Sequence, residues 1–474
     1  MSKILIASMP VISVDVPPLG PALIRSIADQ KGWQSKLLDF NLYLYQKNKQ
    51  LANWIDGNIS LHLAKQYVKI FRSWKKQIDA FDPDLLALSV FSYHSHCHTT
   101  LFCKWLRKHA SQLPILIGGA GAISENYGAK MFSQNLVDHY IVGEGEEPFR
   151  ALLEGALSYP GLNNTNFAVL QDFSQVPAPN FDGLPLDEYE YPMGRKSISI
   201  EGSRGCVRNC SFCDIKKIWK KYKYKDGSAL AHEMIQLANR YSTYNFWFND
   251  SLINGSLKVY RQFVQTLADY NALAEPEKQI SWSAQYIVRS VLPSLEDDIK
   301  LTKQSGCHTL AIGIESGSEA VRAHMGKPFT NQDIETTFSL LRKHDIKIFL
   351  LMIIGYPTET AKDFEDTIDL FTRYQKYAVD GSISGVNLGG TLAILPDTPL
   401  DQVKHDLGIK NSNNRDWSNQ HSNLQLRIAR RLYAQEHASQ LGYRFFDSEK
   451  QLQRFKNMIL HPVVEQELES DVHG

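Results

Sequence analysis

Eleven short apolar runs, separated by stretches of helical periodicity, most narrow the fold open to this 474-residue chain. Five lie in the first third: "KILIAS" (3–8), "SKLLDF" (35–40), "DLLALSV" (84–90), "PILIGG" (114–119) and "DHYIVG" (138–143). Six more begin at residue 197: "SISIEG", "YNFWFND", "ISWSAQ", "TLAIGIE", "IKIFLLMIIG" and "SGVNLGGTLAIL", the last covering 384–395. Near-continuous apolar strands alternating with helices indicate parallel sheets covered on both faces. The first series predicts an open, doubly wound, Rossmann-like α/β domain over 1–150. The second, with six successive β/α units, predicts a partial (β/α)6 TIM-type barrel over 196–400. Its reactive groups should sit at the C-terminal ends of its strands. Between the two, "SYPGLNNTN" and "VPAPNFDGLPLDEYEYP" are rich in Pro, Gly and Asn and read as a linker over 151–195. Residues 41–82 exceed a simple crossover and should include a helical insertion. Residues 401–474 read as a helical C-terminal region without identifiable chemistry.

Charge restricts the function classes. The 51 basic residues balance 51 acidic ones, which argues against broad electrostatic binding of nucleic acid or anionic membrane. No run reaches the ~18 apolar residues of a transmembrane helix, and "IFLLMIIG" (348–355) has the length of a strand. The opening "MSKILIASMP" reads as a first strand rather than a signal peptide. Six cysteines, half of them clustered, suit a reducing compartment and a metal centre, so a cytoplasmic protein is expected.

The cluster is "EGSRGCVRNCSFCDIKK" (201–217), which places Cys206, Cys210 and Cys213 within eight positions. Three is an odd number for a disulfide framework. A structural zinc site takes four ligands, and the next histidine, His232, lies 19 residues past Cys213 across a predicted helix. An ordinary iron–sulfur cluster also takes four cysteines. Three thiolates leave one iron of a 4Fe–4S cluster open to a small molecule.

This arrangement resembles the radical S-adenosylmethionine (radical SAM) enzymes. In that family the loop after the first barrel strand carries C-x3-C-x-aromatic-C, here "CVRNCSFC" with Phe212 as the aromatic residue. The resemblance implies a 4Fe–4S cluster on the three cysteines, with S-adenosylmethionine chelated at the open iron. One-electron reduction then yields a 5′-deoxyadenosyl radical. "FNDS" (248–251) ends the second strand, where the family places groups that hold the methionyl amine, so Asn249 and Asp250 are candidates; the family's usual Gly-Gly-Glu wording is absent here. "GIESGSE" (313–319) matches the fourth-strand pattern, with Glu315 and Ser316 as candidates for the ribose or methionyl group. Ser283 and Gln285 on "SWSAQ" are further candidates, and "GYPTET" (355–360) matches the turn after the fifth strand. For each, the competing reading is a strand-end polar group that caps the following helix.

The first domain resembles the opening of the cobalamin-binding subclass of that family. The likeness rests on "PPLGPALIRSIADQKGW" followed by "LLDFN", on "GGAGA" (118–122) and on "VGEGEEPF" (142–149). "VPAPNFDGLPLDEY" resembles that subclass's linker. It implies cobalamin contacts at Leu19, Gly20, Ser89, Gly118, Gly119, Gly121, Gly143, Glu144 and Gly145. Cobalamin domains often carry Asp-x-His-x-x-Gly after the first strand, whose histidine ligates cobalt. The corresponding "SMPVISVDVPPLG" has no histidine, so cobalamin here should lack that ligand. His94, His96 and His98, with Cys97, would share one face of a strand as metal ligands, whereas a helix would scatter them. "KKIWKKYKYK" (216–225) holds six lysines among aromatics and reads either as a solvated segment leaving the cluster loop or as an RNA contact. Cys103 and Cys307 read as small buried residues.

The expected activity is that of a cobalamin-dependent radical SAM methyltransferase acting on an unactivated carbon of a small molecule or peptide. The alternatives are a radical enzyme catalysing cyclisation or rearrangement, and a tRNA-modifying radical enzyme. A reductant such as flavodoxin or ferredoxin is the expected partner; membrane and nucleic acid are not.

Overall fold

Two parallel sheets, each built from one series of apolar runs, organise the chain. The computed structural model describes residues 1–10, 13–48, 61–110, 112–191, 194–290, 292–411 and 413–445. The chain divides into two compact units, 1–200 with 236–247 and 201–235 with 248–474.

In the first unit, β1 (Lys3–Ser8), β2 (Gln34–Asp39), β3 (Leu85–Ser89), β4 (Ile115–Gly118) and β5 (His139–Tyr140) pair in the order β2-β1-β3-β4-β5. All pairs are parallel, with Lys3 opposite Gln34, Ile4 opposite Leu85, Leu86 opposite Ile115 and Leu116 opposite His139. Ile4, Leu5, Ile6 and Ala7 are all buried, as strands covered on both faces must be. The direction of winding reverses between β1 and β3, and open sheets bind ligands in the crevice beyond the strand ends at that point. Ser8 and Ser89 end the two strands.

The expected insertion comprises the helices Phe40–Lys47 and Leu61–Phe81; residues 49–60 between them lie outside the described residues. Trp74 stacks on Phe40 with centroids 4.4 Å apart and meets Phe102 edge-on at 5.1 Å, joining the insertion to the core. Residues 151–195, expected as linker, supply more than a tether. Val142 N–H donates to Gly161 O and Ala168 N–H to Val142 O, at 2.8 and 2.9 Å, so part of this stretch completes the edge beside β5.

The second sheet has the order β13-β12-β11-β10-β9-β6, so its strands neighbour one another in sequence order. They are β6 (Ile198–Ile200), β9 (Asn245–Phe248), β10 (Ser281–Tyr286), β11 (Cys307–Glu315), β12 (Lys347–Met352) and β13 (Ile383–Asn387). Helices 227–241, 257–273, 295–304, 331–343 and 361–373 alternate with the six strands, with β6 and β13 at open edges. Two short strands, β7 (Ser203–Arg204) and β8 (Lys223–Tyr224), form a separate antiparallel pair.

Two expectations need correction. The run 384–395 is strand only as far as Asn387, because Gly389 takes a left-handed φ of +62° and the chain turns away. The C-terminal region is not wholly helical: β14 (Lys410–Asn411) pairs antiparallel with β15 (Trp417–Ser418) before the helix Leu424–Gln440. The intervening "NSNNRD" is rich in residues that favour turns over helix. Residues 446–474 of that expectation lie outside the described residues.

Among the described residues no helix is long and apolar enough to cross a membrane. Trp74→Ala should lower the unfolding free energy of the first unit by about 3–5 kcal/mol, read as a reduced urea midpoint by near-ultraviolet circular dichroism.

Candidate metal centre

The cysteine loop leaves the second sheet through a tightly held corner. Past β6 the wholly buried carboxylate of Asp250 accepts the Gly202 N–H at 2.9 Å and the Ser203 hydroxyl at 2.6 Å. Burial, reinforced by nearby Glu201, pushes the Asp250 carboxyl up to about 7. Glu201 and Arg204 form a buried ion pair, Nε lying 3.1 and 3.2 Å from the two carboxylate oxygens, and the Arg204 guanidinium sits over the Trp219 ring at 4.8 Å. Gly205 follows with φ +80°. A Cβ there would stand 2.8 Å from the Lys221 carbonyl oxygen, so only glycine lets the returning β8 segment close over the root of the loop.

Cys206, Cys210 and Cys213 are free and half-buried, whereas Cys103 and Cys307 are buried as expected. Burial pushes the Cys210 and Cys213 thiols up, with Cys206 adding to the shift at Cys210 and Cys210 and Cys206 to that at Cys213; Lys327 opposes the shift at Cys210. The Cys213 N–H donates to Cys210 O at 3.1 Å, and the Arg208 N–H to Cys206 Sγ at 3.3 Å. Ser211 pins the loop from three directions: its N–H to Met325 O, its carbonyl from Leu400 N–H, and its hydroxyl 2.7 Å from that of Tyr356. Phe212 packs against the core cluster containing Val321, Met325 and Tyr356.

The other strand-end candidates separate. Glu315 ends β11 just past a slip in register and is held at φ +67°, a strained value for a residue with a side chain. Its carboxylate accepts from Lys327 Nζ at 2.8 Å, and the same ammonium bonds Gly313 O at 2.8 Å. Ser316 is buried; its hydroxyl accepts the Ser318 N–H at 3.2 Å, which favours the capping reading for this side chain. Ser283 is buried, while Asn249 and Gln285 are exposed. Asp250 holds the loop corner.

Four residues escaped the sequence reading. Lys327 follows a predicted helix and carried no signal of its long-range partner. Arg322, fully buried, holds the carbonyls of Ser316 and Gly317 at 2.7 and 3.0 Å and so fixes the turn after β11. Glu359, also fully buried, accepts the Gly355 N–H at 3.1 Å and pairs with Arg430 at 3.0 Å; burial pushes it up to about 7. Arg427, one turn of helix earlier than Arg431, lies against Gly355 and over Trp417, with its guanidinium on the Trp417 and Arg415 carbonyls. Only the turn "GYPTET" signalled any of these, and the helical arginines carry no local mark of burial.

In the first unit the histidines do scatter. The 3-10 turn Tyr93–Ser95 and the helix His96–His109 carry them, with His96 stacked on Tyr127 and bonded to Gly121 O at 2.7 Å. His98 is buried against the Tyr67 hydroxyl at 3.0 Å. The cobalamin candidates also divide. Side chains at Gly119, Gly121 and Gly143 would strike the backbones of Val90, Ser92 and Ala168, so close packing within the unit accounts for those glycines. Gly20 has nothing within 4 Å of a built Cβ, and at Gly118 and Gly145 only ordinary contacts at 3.8 Å. Leu19 is buried at the start of its helix, Ser89 is half-buried, and Glu144 accepts the Leu170 N–H at 2.7 Å.

Residues 200–371 match the model of the Radical SAM superfamily, so this stretch is a radical SAM domain and the protein is an enzyme. An uncharacterized methyltransferase of Pyrococcus horikoshii is 25% identical over 317 residues, 63% of this chain and 66% of that protein. The anaerobic magnesium-protoporphyrin IX monomethyl ester cyclase of Synechocystis is 22% identical over 307 residues, 61% of this chain. The match spans only 59% of the cyclase's own length. The radical SAM methyltransferase TsrM from Kitasatospora setae, solved with cobalamin and a [4Fe-4S] cluster, shares the fold at TM-score 0.64 and 16% identity. That match covers 86% of this chain and 78% of TsrM. The cobalamin-dependent radical enzyme OxsB, solved with aqua-cobalamin and S-adenosylmethionine, gives 0.69 at 15% identity, covering 91% and 66%. At these identities the structural likeness is one of fold.

The donor set fits the cluster that a radical SAM domain implies. Among the described residues no three His, Cys, Asp or Glu side chains close on a single ion. A multi-iron cluster makes no such demand, since each thiolate binds a different iron. Three free, half-buried thiols on one pinned loop suit it.

Asp250→Asn provides a test of the corner by pH. A carboxyl raised in the folded state keeps its proton where the unfolded chain has lost it. Its stabilisation is therefore full below the unfolded value of 3.8 and is lost as pH rises to about 7. The wild-type urea midpoint should fall across that window, and the fall should be shallower in Asp250→Asn.

Proposed function

We propose that this enzyme transfers a methyl group to an unactivated carbon of a small molecule or peptide, with cobalamin held by the first unit. The observation that carries the reading is the doubly wound sheet of order β2-β1-β3-β4-β5 preceding the sheet with the cysteine loop. Two solved cobalamin-dependent radical enzymes share that fold over most of this chain. Beyond the ends of β1 and β3 the unit offers the open side of Gly20 and the exposed rings of Phe91 and Tyr93, 64% and 48% accessible. Exposed aromatic side chains in the segment that follows a switch-point strand suit a large planar ligand. No histidine stands between Met9 and Gly20, so this reading has cobalt without a ligand from that loop.

When bound, the cluster and S-adenosylmethionine supply a carbon radical, and methylcobalamin supplies the methyl group. The chain's own tasks are positional. Cys206, Cys210 and Cys213 hold the cluster, and Asp250 with Ser203 sets the angle at which their loop leaves the sheet. Glu315, strained and bonded to Lys327 at the end of β11, would accept hydroxyl donors of the cosubstrate in this reading. The cytoplasm, where free thiols persist, is the setting this reading requires. A second reading, ring closure without methyl transfer, draws on the cyclase among the relatives.

Anaerobic purification with cobalamin supplied, followed by iron, sulfide and cobalt counts, tests the assignment. Four irons and one cobalt per chain are about what this reading requires; cobalt near zero would overturn the cobalamin part. Cys210→Ala should lose iron and 5′-deoxyadenosine formation together, and retention of either would sink the cluster assignment. Product mass separates the two readings, because methyl transfer adds one CH2 and ring closure adds no carbon.

A further inference from the structure

The hydrogen bond between Ser211 of the cysteine loop and Tyr356 does not end at the tyrosine. The Tyr356 hydroxyl lies 2.7 Å from Ser211 Oγ and 2.9 Å from His324 Nδ1, so three side chains form a chain of two bonds. All three belong to the unit that carries the cysteine loop. Tyr356 is wholly buried, whereas His324 is exposed at the end of the helix Glu319–His324.

The backbone holds the two ends of this chain at a fixed separation. Met325 O takes the Ser211 N–H at 3.0 Å, and the Leu400 N–H reaches Ser211 O at 2.8 Å. A Cβ on Gly326 would stand 3.2 Å from Asn209 O, so the residues after His324 lie directly along the loop.

Proton count decides the direction of the two bonds. Tyr356 has one proton to give, and burial pushes its ionisation up to about 12, so the proton stays on the oxygen. The bare nitrogen of an imidazole accepts more strongly than a serine oxygen, and a phenol donates more strongly than a serine. Tyr356 therefore donates to His324 Nδ1 and accepts from Ser211. Ser211 carries the only hydroxyl between Cys206 and Cys213 and directly follows Cys210. Its proton is thus committed to the tyrosine and withheld from the neighbouring sulfur.

That commitment bears on the redox state of a cluster. A hydrogen bond to a cluster sulfur favours the reduced, more negative form and raises the reduction potential. Resting on the radical-enzyme reading, we propose that Tyr356, oriented by His324, is a positioning residue that keeps the Ser211 hydroxyl off the cluster and so keeps the cluster strongly reducing. Without the Tyr356 oxygen, the serine proton turns to the Cys210 sulfur. Without an acceptor at position 324, the phenol turns its own proton onto Ser211 and displaces the serine proton, with the same result.

The test is an EPR-monitored redox titration of the full-length, iron-reconstituted protein at about pH 8, where imidazole is ordinarily neutral. The midpoint should move upward in Tyr356→Phe and in His324→Leu. His324→Gln keeps an acceptor and should stay near wild type. Ser211→Ala removes the proton in question, so Y356F/S211A should match Ser211→Ala. A merely structural role would lower the iron and sulfide content instead, without any dependence on Ser211. Should Tyr356→Phe fail to hold iron, His324→Leu, a change at an exposed position, decides alone. An unchanged midpoint in either variant that holds its cluster overturns the proposal. So does an upward shift that survives in Y356F/S211A, or one in His324→Gln as large as in His324→Leu. If wild type takes up no iron, the cluster assignment itself fails and the proposal falls with it; the iron count tells the two failures apart.

Discussion

The buried carboxylate of Asp250 grips the first turn out of β6, and the geometry of the metal centre follows from that grip. Its two acceptor oxygens meet one backbone donor and one hydroxyl donor on consecutive residues, Gly202 and Ser203. That fixes the direction in which residues 204–213 depart. A carboxyl this deeply enclosed resists ionisation, so the bond to Ser203 works against a desolvation cost the sheet has already imposed. The neighbouring Glu201–Arg204 pair adds a second buried polar contact at the same corner, and Trp219 covers it. Loops that carry ligands are usually the mobile part of a fold; here the root of the loop belongs to the core.

Much of the architecture was legible because parallel sheets write themselves as apolar runs. Both sheets and the helical insertion can be read from "KILIAS", "DLLALSV" and their counterparts, since strands buried on both faces have little freedom in composition. The failures have a common cause. In "SGVNLGGTLAIL" the apolar residues continue past the strand, and the left-handed glycine that stops it looks like any other glycine. In 401–423 a two-stranded pair depends on turn chemistry that helical periodicity does not weigh.

The site was legible in its covalent pattern and opaque in its charge pairing. C-x3-C-x2-C is a spacing, and spacing survives in sequence. Lys327 with Glu315, twelve residues apart, and Arg430 with Glu359, 71 apart, are meetings created by the fold. Asp250, taken from the sequence as a group for a cosubstrate amine, bonds the loop corner, and the histidines at 94, 96 and 98 are separated by the helix they help to form. The glycines at 119, 121 and 143 make the same point. Their lack of a side chain is explained by neighbouring backbone before any ligand is considered.

The helix Leu424–Gln440 has a consequence for how the enzyme comes into being. Through Arg427 and Arg430 it packs on Gly355 and neutralises Glu359, in the turn after β12. Those partners are made about 70 residues before the arginines are. During synthesis, which advances at roughly 5–20 residues per second, the turn emerges with a buried acid whose counter-charge has not yet been translated. The turn after β12 is therefore completed only when the later helix has been made. A nascent chain stopped short of residue 427 would carry the sheet without the brace on the turn after β12.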